Sequence, residues 1–267
     1  MEFPKYTGVA SANGKDSTGR RVALRKWASS DISRQDAFRS AQKAVSELAQ
    51  RISMMDINHA KHYYSAFARE ELVKKISETS AITRNYYGSN VLNTENIMFV
   101  DIDLPKLKLF GIFSDPEKKH IARLKKWLAD HPRAAVRIYR TKAGLRYLFT
   151  HDLLGVNPET LGWQNELGAD KLYMILCKAQ KCYRARLTPK PWRIGYRRPP
   201  QPEQFKNPDD HLNAYQQWLA GYEEKSRNYS VCHFVETAGV DYINSSLKQI
   251  VAEHDAASGV EQKLPLA

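Results

Sequence analysis

The sequence predicts an α+β fold, a mixed sheet core flanked by helices and preceded by an N-terminal helical elaboration. Three observations carry this expectation. Apolar residues recur at three and four positions early in the chain. From about residue 81 the pattern changes to short β-branched runs bounded by Gly, Asn and Asp. Helical spacing then returns. With 267 residues and 42% hydrophobic content, the chain can bury a substantial core.

Taken in order, residues 1–25 read as a mobile, polar lead-in carrying Gly8, Gly14 and Gly19. Ser33 and Asp36 resemble a capping box opening an amphipathic helix through Ala37, Ala41, Val45 and Leu48 to about Met54. Leu72, Val73 and Ile76 suggest a second, shorter helix over Glu70–Ser80. Strands follow at 81–84, 90–93 and 97–102, with a turn at Tyr87-Gly88-Ser89. Asp115-Pro116 starts a helix that His131-Pro132 ends. Strands at 134–139 and 145–150 flank a hairpin-like turn, Thr141 to Gly144, and helices are expected at 158–167 and 171–181. Pro189 and Pro191 keep 183–195 extended, and Arg198-Pro199-Pro200-Gln201-Pro202 is a stiff connector. Helices at 209–222 and 242–253 precede a disordered tail, 256–267. One domain thus spans 26–255: a helical elaboration (26–80), a core (81–198) and C-terminal helices (199–255).

Net charge is +12, and it is unevenly placed: Arg137 to Arg198 holds thirteen Lys/Arg against four Asp/Glu. Such a surplus favours a polyanionic partner, nucleic acid or nucleotide. Three cysteines without metal-type spacing read as free thiols. The N-terminal residues lack a signal peptide's apolar core, and no run of about 18 apolar residues occurs. The expectation is a cytoplasmic protein with no membrane partner.

Three groups of residues could carry chemistry. Asp101 and Asp103 end an apolar strand and point to one face, where their repulsion suits a divalent cation such as magnesium or manganese. The same spacing also serves a solvated strand end. Arg140, Thr141, Lys142 and Arg146 surround Gly144, which would let a phosphate approach the backbone, unless the turn is an ordinary polar hairpin. Arg184, Arg186, Lys190 and Arg193 lie in a proline-stiffened segment with Trp192 as a stacking platform. Sheet pairing could carry Arg84 to the acids, as a site residue or as their salt-bridge partner.

Strand-ending Asp101-Ile-Asp103, an inserted helix, and a strand–turn–strand with a Gly and a basic residue resemble the core of archaeo-eukaryotic primases and primase-polymerases. The resemblance covers about residues 95–195. It implies metal binding by Asp101 and Asp103, nucleotide contact from the Thr141–Gly144 turn, and a third acid, for which Asp170 is favoured over Asp152. Arg146 stands where that family has a His. The stretches Val100-Asp-Ile-Asp103 and Arg184-Ala-Arg-Leu-Thr-Pro-Lys-Pro-Trp-Arg193 are also similar to a bacterial protein family with no assigned function, over about residues 60–235. The leading expectation is metal-dependent nucleotidyl or phosphoryl transfer. The alternative is a non-catalytic nucleic-acid-binding protein using the same basic, aromatic-interleaved surface.

Overall fold

The chain opens with a hairpin. Strands β1 (Tyr6–Lys15) and β2 (Arg21–Ser30) pair antiparallel in full register, so the expected mobile lead-in is ordered structure. A computed structural model describes residues 3–54, 70–105, 115–201, 204–205 and 208–267. Part of the expected helical elaboration, 55–69, and Pro202 of the connector lie outside them. Helix α1 (Arg34–Ile52) starts where expected, with Ser33 accepting from the Asp36 amide. Only half of the capping box forms, because the Asp36 carboxylate accepts from Ser30 instead. Ala37, Ala41 and Val45 form the buried stripe of α1. The hairpin lies so close that a Cβ on Gly8 would sit 2.4 Å from the Ala37 backbone. Ala10, Leu24, Ala41 and Val45 give this unit its own small core.

The second expected helix is a strand, β3 (Glu71–Ser77), paired antiparallel with β4 (Ser80–Arg84). Its apolar residues fit either period over so short a run. The tight Ser77–Ser80 connection decides, because it returns the chain directly into ladder hydrogen bonds. β4 pairs with β5 (Asn90–Thr94), and β5 with β9 (Tyr183–Arg186), which gives the sheet order β3-β4-β5-β9.

The second sheet, order β10-β7-β8-β6, is antiparallel throughout. It comprises β6 (Phe99–Asp103), the hairpin β7 (Ala135–Thr141) and β8 (Gly144–Phe149), and β10 (Cys232–Gly239), a strand not expected from sequence. Helix α2 (Pro116–Asp130), capped by Asp115, buries Leu124, Trp127 and Leu128 in the core. Helices α3 (Pro158–Leu167) and α4 (Lys171–Gln180) match their expected spans closely. One apolar core joins both sheets, from Ile82 and Leu92 through Phe99 and Tyr147 to Ile250.

After β9 the chain turns through a 3-10 segment, Pro191–Ile194, within the stretch expected to be extended. Helix α5 (Pro208–Ser226) carries Trp218 and Tyr222 into a third cluster, and the last helix, α6 (Lys248–Ser258), begins later than expected after a 3-10 turn. The tail is not loose. Gly259 caps α6 at φ +67°, Val260 and Ala267 are buried, and the Ala267 amide donates to the Ser230 carbonyl at 3.0 Å. No helix among the described residues is long and apolar enough to cross a membrane.

Candidate phosphate and metal site

Asp101 on β6 and Arg146 on β8 are cross-strand partners, and Arg146 Nε lies 3.3 Å from Asp101 Oδ1. The strand pleat puts Asp101 and Asp103 on one face, with Ile102 buried on the other. Arg146 is deeply buried, yet its donors are used: Nη1 reaches the Arg186 carbonyl at 3.1 Å and His254 Nε2 at 3.3 Å. Burial is the largest influence and opposes the Arg146 charge, but Asp101, Cys232 and Tyr173 together outweigh it and hold the guanidinium's pKa above its ordinary value.

His254 and Asp255 on α6 extend this network. His254 Nδ1 meets Asp255 Oδ1 at 2.9 Å, and Asp255 also receives Arg137 at 2.7 Å and the Tyr139 hydroxyl at 2.8 Å. With Arg146 donating to Nε2, the imidazole is neutral with its proton on Nδ1. Burial pushes the His254 pKa down, against the pull of Asp255. Sequence spacing gave no signal for this pair, because helix α6 has no metal-type His pattern and its target lies over a hundred residues away.

On the solvent side, like charges gather. Asp103 is exposed, and its carboxyl is pushed up by burial first, then by Asp101 and Asp170, against Lys190 and Arg193. Asp170 reaches the site through its backbone: its amide donates to the Asp101 carbonyl at 2.9 Å, while its side chain caps α4 at the Tyr173 amide. Arg186 is lowered to about 10 by burial, with Asp101 resisting and Arg146 and Arg193 adding to the drop. Its Nε is closed off from solvent without a hydrogen-bond partner. Lys190 is lowered by burial and by Arg186 and Arg193, with Asp103 and Asp101 opposing.

Several expected site residues are engaged elsewhere. Arg84 pairs with Glu223 at 2.9 Å, so it neither enters the site nor neutralises the acids. Arg140 donates to the Thr141 and Gly144 carbonyls and pairs with Glu117 of α2 at 3.0 Å. Thr141 Oγ1 accepts from the Gly144 amide. The close approach that Gly144 permits is to β6, not to a phosphate: a Cβ there would fall 1.7 Å from the Ile102 carbonyl oxygen. Lys142 is exposed at the turn, near the Asp103 end of β6. Arg184 pairs with Glu70 and with Gln180, and Arg146 is buried scaffolding instead of a phosphate clamp. What remains around the acids is Arg186, Lys190 and Arg193, with Trp192 exposed beside them.

Among the described residues, no three His, Cys, Asp or Glu side chains group closely enough to hold a metal ion unaided. Two carboxylates on one face do match the way magnesium and manganese are held when phosphate oxygens and waters complete the shell. The three cysteines are buried free thiols, and burial pushes Cys177, Cys182 and Cys232 up to about 11, 12 and 11, which argues against thiolate chemistry. Comparison with protein families, with curated proteins and with solved structures finds no match to this chain.

Proposed function

We propose that this chain is a cytoplasmic, metal-dependent nucleotidyl- or phosphoryl-transfer protein with a primase-polymerase-like site, acting on a nucleotide or nucleic acid. One observation carries the reading: acids crowd acids and bases crowd bases in a single place. Burial acts first on both charges. Asp103 is then disfavoured by Asp101 and Asp170, and Lys190 by Arg186 and Arg193, with the opposite charges across the site offsetting each in part. A cation among the carboxylates and an anion among the basic groups would relieve both, and a metal–phosphate unit supplies the two together.

In this reading Asp101 and Asp103 hold magnesium or manganese, with Asp170 adding negative charge behind them. The bound ion would draw electron density from phosphate oxygens. Lys190, Arg193 and Arg186 hold the phosphates and offset charge developing on them. Arg146 is a positioning residue that fixes the Asp101 carboxylate, and His254 fixes Arg146 in turn.

The test is binding of a fluorescent adenosine triphosphate analogue with manganese or with chelator. Asp103→Asn is the informative variant, because Asp103 is exposed and its loss leaves the Asp101–Arg146 pair intact. The reading requires manganese-dependent binding that falls at least about tenfold in Asp103→Asn, a loss of about 1.4 kcal/mol, and in Lys190→Ala/Arg193→Ala. Binding that ignores both metal and Asp103→Asn sinks it. The pairing of Asp101 with Arg146 favours a second reading, in which the acids are structural and the basic residues bind nucleic acid without metal.

A further inference from the structure

Four aromatic side chains form a ladder leading away from the basic groups. Trp27 of β2 meets Tyr86 edge-on with ring centroids 5.3 Å apart, Tyr86 meets Tyr87 at 5.4 Å, and Tyr87 meets Trp192 at 4.9 Å. Large rings normally gain from burial. Here Tyr86, Tyr87 and Trp192 stay 40, 36 and 40% exposed. Each meets its neighbour edge to face, an arrangement that does not cover the ladder with a stacked partner of its own.

Cations accompany the rings. Lys190 and Arg198 sit 5.6 and 5.2 Å from the centre of the Trp192 ring, and Arg25 donates to the Tyr86 hydroxyl at 2.9 Å. Beside Tyr86 and Tyr87 lies a cavity of about 600 Å³ whose lining includes Arg25, Arg197 and Arg198 and, among the described residues, no carboxylate. Pro199 and Pro200 stiffen that wall. Aromatic faces accompanied by guanidinium groups match alternating bases and phosphates. A duplex keeps its base faces stacked inward, so only an unpaired strand can lay them on these rings.

We infer that the Trp27–Tyr86–Tyr87–Trp192 ladder, with Arg25, Arg197 and Arg198, is the track of a single-stranded nucleic acid that reaches the Asp101/Asp103 site past Trp192 and Lys190. What happens at its inner end rests on the proposed function, whereas the strand-binding chemistry stands on different residues. Arg198, next to Trp192, holds the strand as it leaves the acids. Trp27 makes the outer rung, supplied by the N-terminal hairpin.

The experiment measures anisotropy of a fluorescein-labelled oligothymidylate of about 12 nucleotides, in chelator, beside its duplex and an abasic strand of equal length. The intact strand binds tightest. Tyr87→Leu and Trp27→Leu, which keep apolar bulk, weaken it about 5- to 100-fold, and Tyr87→Phe restores it. Arg197→Ala/Arg198→Ala flattens the salt dependence by about 0.7 log unit per lost phosphate contact. Manganese-dependent nucleotide binding stays at the wild-type level in Trp27→Leu. Equal affinity for abasic strand or duplex overturns the track, as do Leu variants that bind like wild type. Strand binding without any manganese-dependent nucleotide binding instead removes the proposed function and leaves the track standing.

Discussion

Asp101 and Arg146 stand directly opposite each other on β6 and β8, and the arginine of this pair is 2% exposed. Its guanidinium serves Asp101, the Arg186 carbonyl and His254 together, and so ties both sheets to α6. Removing it strands three partners. We expect Arg146→Met to cost about 2–4 kcal/mol in urea unfolding. Arg146→Lys should recover little, because one ammonium cannot reproduce a planar fork. A wild-type unfolding midpoint for Arg146→Met would contradict this account.

His254 makes stability fall on the acid side. Its pKa is lowered in the fold, so the unfolded chain binds more protons below its ordinary value of 6.5. Unfolding free energy therefore declines as pH drops from about 6.5 through the depressed folded value. His120 and His151, also lowered chiefly by burial, act in the same direction. Thermal melts between pH 7 and 5 should show the decline, and His254→Gln should make it shallower. An unchanged slope in that variant would assign the effect to the other two histidines.

Asp103 trades stability for charge. Burial and the neighbouring Asp101 and Asp170 disfavour its ionised form. Asp103→Asn should raise the melting temperature at neutral pH in chelator, the gain in unfolding free energy staying below about 1 kcal/mol because the group is exposed and screened. If the proposed function holds, the same variant should also lose manganese-dependent nucleotide binding. A destabilised Asp103→Asn would mean that the carboxylate is held by attraction, contrary to the crowding described above.

Gly144→Ala tests the sheet. The added Cβ would meet the Ile102 carbonyl oxygen at 1.7 Å, a backbone obstacle that no side-chain rotation relieves. β6 and β8 would have to part at the Asp103 end. Circular dichroism melts should register a loss of roughly 2 kcal/mol or more. Strand binding along the aromatic ladder should persist at temperatures where the variant remains folded.

Local signals in the sequence placed α1, α2, α3 and the β7–β8 hairpin well, because caps, prolines and period act within a few residues. Ser33 and Asp115 cap helices where their positions suggest. The seven residues of β3 fit both periods, and only the partner strand β4 settles the matter. β10 carries no local signal, because its identity depends on pairing with β7, nearly a hundred residues earlier. The site follows the same division. Asp101 and Asp103 sharing a face follows from the pleat alone. That Arg84, Arg140 and Arg184 are spent on Glu223, Glu117 and Glu70 does not, since every one of those acids lies outside the segment that carries its arginine.

The aromatic ladder crosses a seam in the molecule. Trp27 rides on the hairpin, whose interior is separate from the main core, while the next three rings sit on the β4–β5 turn and the 3-10 segment after β9. Arg34 with Glu71, and Arg25 with Gln201, stitch the two parts together. A shift of the hairpin by a few ångströms would therefore remove the outer rung of the proposed track without moving the groups around the carboxylates. Under the proposed reading, grip on a strand and chemistry at its end are thus separable by mechanical means.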